Sequence, residues 1–403
     1  MCPDESIALR DMKFGTQDSI RNRTFCSKMV RLSIFRLAET LLKEVAAAST
    51  PAVDSALQRL PPLPSPRDLL KLYKIRAQRH LSQNFLLDFR LNNKIVTKTG
   101  NIQNCYVCEV GPGPGNITRS ILQNGAKHVI VIEKDRRFLP SLELLADASG
   151  GRMKIILADI MDIDLENILP RTLACEWKML PPPLFIIGNL PFNISTPLII
   201  KWLRHCSKHT GPFIHGRTRL TLTFQKEVAL RMIADADSES RSRLSIMCQY
   251  LCNVKHLFNI PGTAFFPKPE VDVAVVKFTP RIRPLIDQPF ELVEKVVSTI
   301  FHHRQKFCRY GIVNLFPPNR PQLVEEMINK SKVNPEKRSF NLEMEEFRAL
   351  CNAYNDICQN NKGIFEYNYL IHKKKYSMFD EEDEHDSPQT DVNVESGLED
   401  HKM

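Results

Sequence analysis

The chain has 403 residues, 43% hydrophobic and 25% charged, which gives room for two domains with ordinary buried cores. No apolar run approaches the roughly 18–20 residues that a membrane-spanning helix needs, so a membrane is not an expected partner. The net charge is +9, yet Asp380–Met403 holds ten acids against one lysine, so the remainder carries about +18. That balance suits a polyanion such as nucleic acid, though a solvated basic surface would read the same way.

Residues 1–60 read as a leader. Arg21, Arg23, Lys28, Arg31 and Arg36 fall in a stretch without acids between Ser19 and Ala38, and Met29–Ala48 can form an amphipathic helix. This composition resembles a mitochondrial transit peptide and predicts the mitochondrial matrix, although Asp4, Glu5, Asp11 and Asp18 precede it. The Pro-rich segment Pro61–Pro66 is a stiff boundary, followed by helical spacing over Arg67–His80. Strands are then predicted at Cys105–Val110, His128–Glu133, Met153–Ala158, Leu184–Gly188, Arg219–Phe224, Val254–Ile260 and Val271–Thr279. Helices are predicted between most of them, at Asn116–Asn124, Arg136–Ala148, Thr196–Cys206 and Lys226–Ala234. This alternation predicts an α/β fold, a Rossmann-like parallel sheet with an antiparallel edge strand. Beyond Pro280 the strand signal fades, and Phe290–Phe307, Arg320–Lys330 and Glu343–Asn355 have helical spacing. The expected organisation is a disordered leader over 1–60, a catalytic domain over 61–283, a small all-helical domain over 284–376 and an acidic disordered tail over 377–403.

Eleven cysteines without a secretory signal predict free thiols. Cys105 and Cys108 form a CxxC, but a zinc site needs a second ligand pair at suitable spacing, and Cys248/Cys252 is the only other close pair. They read as strand thiols, and no metal is expected.

Residues 109–115 read Glu-Val-Gly-Pro-Gly-Pro-Gly between the first strand and a helix. Gly111 and Gly113 let the backbone turn tightly and approach a ligand that a Cβ would repel. Glu133 ends the next strand, where a carboxylate can accept both hydroxyls of a ribose. Asp159 follows the third strand, where it can accept from an adenine amine. Two readings compete, a nicotinamide enzyme and a methyltransferase; the first would use the loop for a pyrophosphate, which S-adenosylmethionine lacks.

The loop after the fourth strand, Gly188–Asn193, reads Gly-Asn-Leu-Pro-Phe-Asn. It matches the (Asn/Asp/Ser)-Pro-Pro-(Tyr/Phe) type of loop in enzymes that methylate exocyclic amines. An adenine amine is a poor nucleophile because its lone pair is delocalised into the ring. The Asn189 side-chain carbonyl and the Leu190 main-chain carbonyl can accept its two N–H bonds and favour a pyramidal nitrogen. Pro191 fixes the backbone so that the carbonyls point inward, and Phe192 can stack on the base. In-line positioning then supplies most of the catalysis.

With these motifs in order, the chain resembles the KsgA-type rRNA adenine dimethyltransferases over about Leu60–Lys375. Two further segments carry the resemblance, Leu81–Asp88 (Leu-Ser-Gln-Asn-Phe-Leu-Leu-Asp) and Phe265–Asp272 (Phe-Phe-Pro-Lys-Pro-Glu-Val-Asp). The resemblance implies S-adenosylmethionine as cofactor, lined by Gln83, Asn84, Leu86, Gly111, Gly113, Glu133, Lys134, Asp159, Ile160 and Asn189. It implies that Phe192 with Phe265 or Phe266 clamps the target base. It further implies two methyl groups on each of two adjacent adenosines in a hairpin loop near the 3′ end of small-subunit rRNA. Many relatives carry Tyr where this chain has Phe192; stacking survives that change, so no hydroxyl is required. Phe192, the Pro-rich segment before the core and Thr196–Trp202 after the loop point to the mitochondrial branch, hence to 12S rRNA and ribosome assembly.

Arg304, Lys306 and Arg309 lie near Phe307, a basic and aromatic grouping suited to splayed RNA bases or to a solvated helix face. Two other functions stay open at this level. One is a non-catalytic factor that binds nucleic acid alongside the mitochondrial transcription machinery; the other is methylation of adenine in DNA, which the same loop chemistry permits.

Overall fold

Parallel strands form here where the chain stays apolar on both faces, because each such strand is covered by helices on two sides. The computed structural model of the protein describes residues 60–78 and 81–371. The leader, its candidate helix Met29–Ala48 and the acidic tail lie outside the described residues.

Helix α1 (Pro66–Leu72) begins where Ser65 accepts from the Asp68 N–H, with Pro66 in the first turn. It is shorter than the predicted Arg67–His80. A two-residue strand, β1 (Phe85–Leu86), leads into α2 (Phe89–Thr99), capped by Asp88. Then β2 (Tyr106–Val110), α3 (Asn116–Gln123), β3 (His128–Glu133), α4 (Leu139–Ala148) and β4 (Met153–Leu157) alternate. They are followed by β5 (Leu184–Gly188), α5 (Phe192–Lys208), β6 (Arg219–Gln225) and α6 (Lys226–Ile233). Next come α7 (Arg243–Leu251), β7 (Cys252–Ile260), β8 (Phe265–Phe266) and β9 (Val273–Pro280). The described chain continues in helices α8 (Phe290–His302), α9 (Cys308–Val313), α10 (Gln322–Ser331) and α11 (Met344–Asn360).

The main sheet has seven strands in the order β4-β3-β2-β5-β6-β9-β7. Strands β2 to β6 run parallel, and β9 pairs antiparallel with both β6 and β7, one place in from the edge. The chain steps outward from β2 to β4 and then returns to β5 on the other side of β2. This reversal opens a crevice at the carboxyl ends of β2 and β5, the place where open α/β sheets bind ligands.

Successive residues along each strand feed opposite cores. On one face Val107, Val131, Phe185 and Ile187 pack with Ile95, Ile117, Ile121 and Leu142 from α2, α3 and α4. On the other, Cys108, Ile130, Ile186, Leu222 and Phe278 pack with Leu198 and Trp202 of α5. That second core runs without a break into Val293 and Val297 of α8 and Phe347 and Tyr354 of α11.

The predicted helix Phe290–Phe307 ends at His302. A Cβ at Gly311 of α9 would lie 2.6 Å from the Ile300 Cα. Helices α8 and α9 therefore touch backbone to backbone, and the chain must fold back between them. Cys108 is a buried free thiol within β2, and Cys105, just before it, is a partly buried one. Among the described residues no helix is long and apolar enough to cross a membrane.

Candidate active site

Strand register assembles the crevice. Val110 pairs with Ile132 on one side and with Gly188 on the other, so the residues just beyond them, Gly111, Glu133 and Asn189, come side by side. The Gly111 N–H donates to the Ile132 carbonyl at 2.9 Å, which extends the ladder into the loop. Gly111 and Gly113 then adopt φ of +68° and +54°, a left-handed backbone that side chains rarely tolerate. The Gly113 Cα faces the Phe85 ring of β1, whose strand pairs antiparallel with β8.

The acidic side of the crevice is tied down by main-chain donors. Glu133 is buried, and its carboxylate accepts from the N–H groups of Gly113 at 2.9 Å, Lys134 at 2.9 Å and Asp135 at 2.8 Å. Burial raises its proton affinity, against the pull of these donors. Asp159 accepts from the Met161 N–H at 2.9 Å and from the Lys134 ammonium at 2.6 Å. Burial works to raise the Asp159 carboxyl, but Lys134 and the Met161 N–H outweigh it and hold it below its usual range. Beneath the loop, burial and the nearby Glu133 push Glu109 up to about 8, so it carries a proton at neutral pH.

The opposite side is neutral. Asn189 follows β5, Leu190 is buried, and Pro191 caps α5, which starts at Phe192. The predicted start at Thr196 is one turn late, because Pro191 presets the entry into the helix. The Asn189 side chain is held at both ends: its Nδ2 donates to the Asn84 carbonyl at 3.2 Å, and its Oδ1 accepts from Thr223 Oγ1 at 2.9 Å. The Asn84 carbonyl can only accept, which fixes which end of the amide is which. No protein main-chain donor among the described residues takes the Leu190 carbonyl.

Two adjoining cavities share Gln83, Gly111, Glu133, Leu190 and Pro191. One holds about 670 Å³ of open space and is also lined by Asn84, Leu86, Gly113, Asn189, Phe192 and Phe265. The other, about 690 Å³, is lined by Lys134, Asp159 and Ile160. Every residue expected to line the cofactor thus borders one cavity or both. The two candidate clamp residues separate: Phe265 is 5% exposed and lines the first cavity, while Phe266 is 61% exposed and lines neither. Alternation along β8 turns adjacent side chains to opposite faces.

The basic residues sit elsewhere. Arg304 donates to the carbonyls of Arg241 and Glu239 and lies over the Phe340 ring, 5.0 Å from its centre. It borders a third cavity with Arg231, Arg241 and Arg243, bounded by Thr196 and Ile200 of α5. Arg309 pairs with Glu325, and Lys306 is exposed.

Sequence reasoning missed a latch and a prop. The Gln83 amide donates to Asp135 at 2.8 Å, and Arg137 grips Asp135 while donating to the Arg76 carbonyl at 3.0 Å. This ties the segment before β1 to the loop after β3. Asn116 fixes β1 itself through the Leu86 carbonyl at 2.7 Å. The prop is Thr223. Its only signal was a pair of threonines, Thr221 and Thr223, alternating with apolar residues in a buried strand.

The residues present fit S-adenosylmethionine. In the cavity beside the Gly loop the Glu133 carboxylate already takes the Gly113 N–H and would repel a pyrophosphate, which suits a ligand without phosphates. Carboxylates at the ends of β3 and β4 supply acceptors for a ribose and an adenine amine.

Comparison with known proteins agrees. Residues 73–356 match the family described as ribosomal RNA adenine dimethylase. The chain is 54% identical over 312 residues to dimethyladenosine transferase 1, mitochondrial, of Xenopus laevis, covering 77% of this chain and 91% of that protein. It is 50% identical over 329 residues to the Homo sapiens protein of the same name, covering 81% and 95%. The Caenorhabditis elegans counterpart is 42% identical over 321 residues, covering 78% and 88%. The fold is similar to a crystal structure of a dimethyladenosine transferase from Plasmodium falciparum, with a TM-score of 0.52, 24% identity, and coverage of 66% of this chain and 96% of that one. A Gly-loop crevice, a carboxylate after each of two strands, an Asn-Leu-Pro-Phe loop and this breadth of similarity lead to one assignment: the chain belongs to the ribosomal RNA adenine dimethylase family.

Proposed function

We propose that this enzyme places two methyl groups on the exocyclic amine of each of two adjacent adenosines, in the hairpin loop near the 3′ end of mitochondrial small-subunit (12S) rRNA. The reaction takes place in the mitochondrial matrix and supports ribosome assembly. The observation that carries this reading is the neutral edge of the crevice, where Asn189 and Leu190 line the cavity bordered by the Gly loop.

S-adenosylmethionine, when bound, supplies a methyl group on a positive sulfur, which is a good leaving group. Glu133 accepts the ribose hydroxyls and Asp159 the adenine amine, with Gln83, Asn84, Leu86, Gly111, Gly113, Lys134 and Ile160 completing the walls. Asn189 Oδ1 and the Leu190 carbonyl accept the two N–H bonds of the target amine and hold its nitrogen in line for attack. As the bond from nitrogen to methyl forms and the bond from methyl to sulfur breaks, the nitrogen becomes positive; the same dipoles stabilise it until it releases one proton to solvent. Phe192 and Phe265 hold the flipped base between their rings; Phe266, turned outward, has no part in the clamp.

In this reading the residues up to 283 carry the catalysis and the helices α8 to α11 beyond them grip RNA, although one core joins the two. Lys306 and Arg309 contact RNA phosphates from the helical side. Arg304, with Arg231 and Arg243, lines an arginine-rich cavity reached along α5 from Phe192. The same basic surface would serve contact with the mitochondrial transcription machinery.

The test is methyl transfer from labelled S-adenosylmethionine to a hairpin carrying two adjacent adenosines, read by mass spectrometry of the nucleosides. Dimethyladenosine is expected, and none from a hairpin with guanosines at both positions. Equal labelling of both hairpins, or of duplex DNA in competition, contradicts the reading.

A further inference from the structure

The reading above makes Asn189 the residue that grips the target amine, and the inference here rests on it. An asparagine amide has two ends of nearly equal shape and opposite hydrogen-bonding sense. If the amide turns over, the target amine meets an N–H donor instead of an acceptor, and the grip is lost. Something must hold the orientation before substrate arrives.

Register places the holder. Gly188 of β5 pairs with Leu222 of β6 in parallel, so the next residue on each strand, Asn189 and Thr223, comes alongside the other. Thr223 is 1% exposed and lines neither cavity of the crevice. Its hydroxyl lies 2.9 Å from Asn189 Oδ1, while the Asn84 carbonyl takes Nδ2 at 3.2 Å. The Asn84 carbonyl rejects the turned-over amide, because two oxygens would face each other. The Thr223 hydroxyl can donate or accept, so it does not choose the orientation itself; with the choice made by the Asn84 carbonyl, it donates to Oδ1 and holds that oxygen in place. An amide oxygen has two lone pairs, so one remains for the target N–H.

We infer that Thr223 is the positioning residue of this reaction, acting through Asn189 to keep the side-chain oxygen aimed at the substrate amine without touching the substrate. The hydroxyl also polarises the amide and strengthens its bond to the Asn84 carbonyl, which couples the segment before β1 to the catalytic loop.

Thr221 supplies an internal control. It lies two residues earlier on the same face of β6, is fully buried, and its hydroxyl has no hydrogen-bond partner. Thr223→Val and Thr221→Val therefore make the same chemical change in the same strand, and only the first removes the bond to Asn189.

The experiment measures the single-turnover rate of methyl transfer to the hairpin, with cofactor affinity by calorimetry as the check on folding. Thr223→Val is expected to slow transfer about ten-fold, with cofactor affinity and RNA KM unchanged. Thr223→Ser, which restores the hydroxyl, should recover to within about two-fold, and Thr221→Val should match wild type. If Thr223→Val binds cofactor poorly, Thr223→Ala takes its place in the comparison. Wild-type rates for both replacements, beside an inactive Asn189→Ala, overturn the positioning role alone. So does an equal loss in Thr221→Val, or no rescue by serine. Activity in Asn189→Ala would instead overturn the underlying reading of the loop.

Discussion

Around Glu133 and Asp159 the crevice presents carboxylates, whereas around Asn189 and Leu190 it presents neutral amide and peptide dipoles. The two sides lie next to each other on one sheet edge, and Glu133 and Leu190 each border both cavities. Under the proposed function their difference follows from what each must do. A ribose and an adenine amine keep their bonding pattern through the reaction, so strong fixed acceptors serve them. The target nitrogen gains positive charge only as the new bond forms, and dipoles already in place stabilise that change without reorganising. The proposed function thus makes the crevice a division of labour between holding the donor and steering the acceptor.

The comparison can be sharpened first on the neutral side. Phe265→Ala should lower kcat/KM for RNA by about ten- to a hundred-fold, the usual worth of a base stacked on an aromatic ring. Phe266→Ala, turned to solvent, should stay within about three-fold, because it leaves stacking intact. Steady-state kinetics on the hairpin reads both, and equal losses would put the clamp in the wrong place.

A smaller effect probes the acidic side through stability. Glu109 holds its proton up to about pH 8 in the folded protein. In the unfolded chain a glutamate releases its proton near about pH 4.3. Between these values the folded state binds more protons, so this site's contribution to stability falls as pH rises and levels off above pH 8. Glu109→Gln should remove that slope, raising Tm most near pH 9 and little near pH 5. Parallel melting curves with the same offset at both pH values would contradict a buried, protonated Glu109.

Much of the fold was legible because the parallel strands are short, largely apolar runs, two of which close on an acid and a glycine. The strands at His128–Glu133 and Leu184–Gly188 have the predicted ends. Helix α2 escaped notice because Asn92, Asn93, Ile95, Val96, Thr97 and Thr99 are poor helix formers. It forms because Asp88 caps it and because Ile95 and Val96 are buried in the core with Ile117 and Ile121. The Phe290–Phe307 periodicity misled because nothing local announces the close approach of Gly311 to Ile300. In the crevice, each residue adjacent to a strand end could be placed from its motif. Asp135, Arg137, Asn116 and Thr223 could not, since their roles depend on partners 30 to 61 residues away. Strand order and register, which decide those meetings, are not written in any one segment. The basic residues show the reverse failure: Arg304 and Arg309 were legible as charges, while the sequence did not reveal that both already have protein partners.

The division of labour is tested most directly by measuring cofactor affinity and single-turnover methyl transfer on Asn189→Ala and Glu133→Ala together. Asn189→Ala should lose at least about a hundred-fold in rate while its affinity for S-adenosylmethionine stays within a few-fold of wild type. Glu133→Ala should lose on the order of a hundred-fold in affinity and recover most of its rate at saturating cofactor. If Asn189→Ala transfers methyl groups at the wild-type rate, or loses affinity and rate in equal measure, the two halves of the crevice do not divide the work in this way.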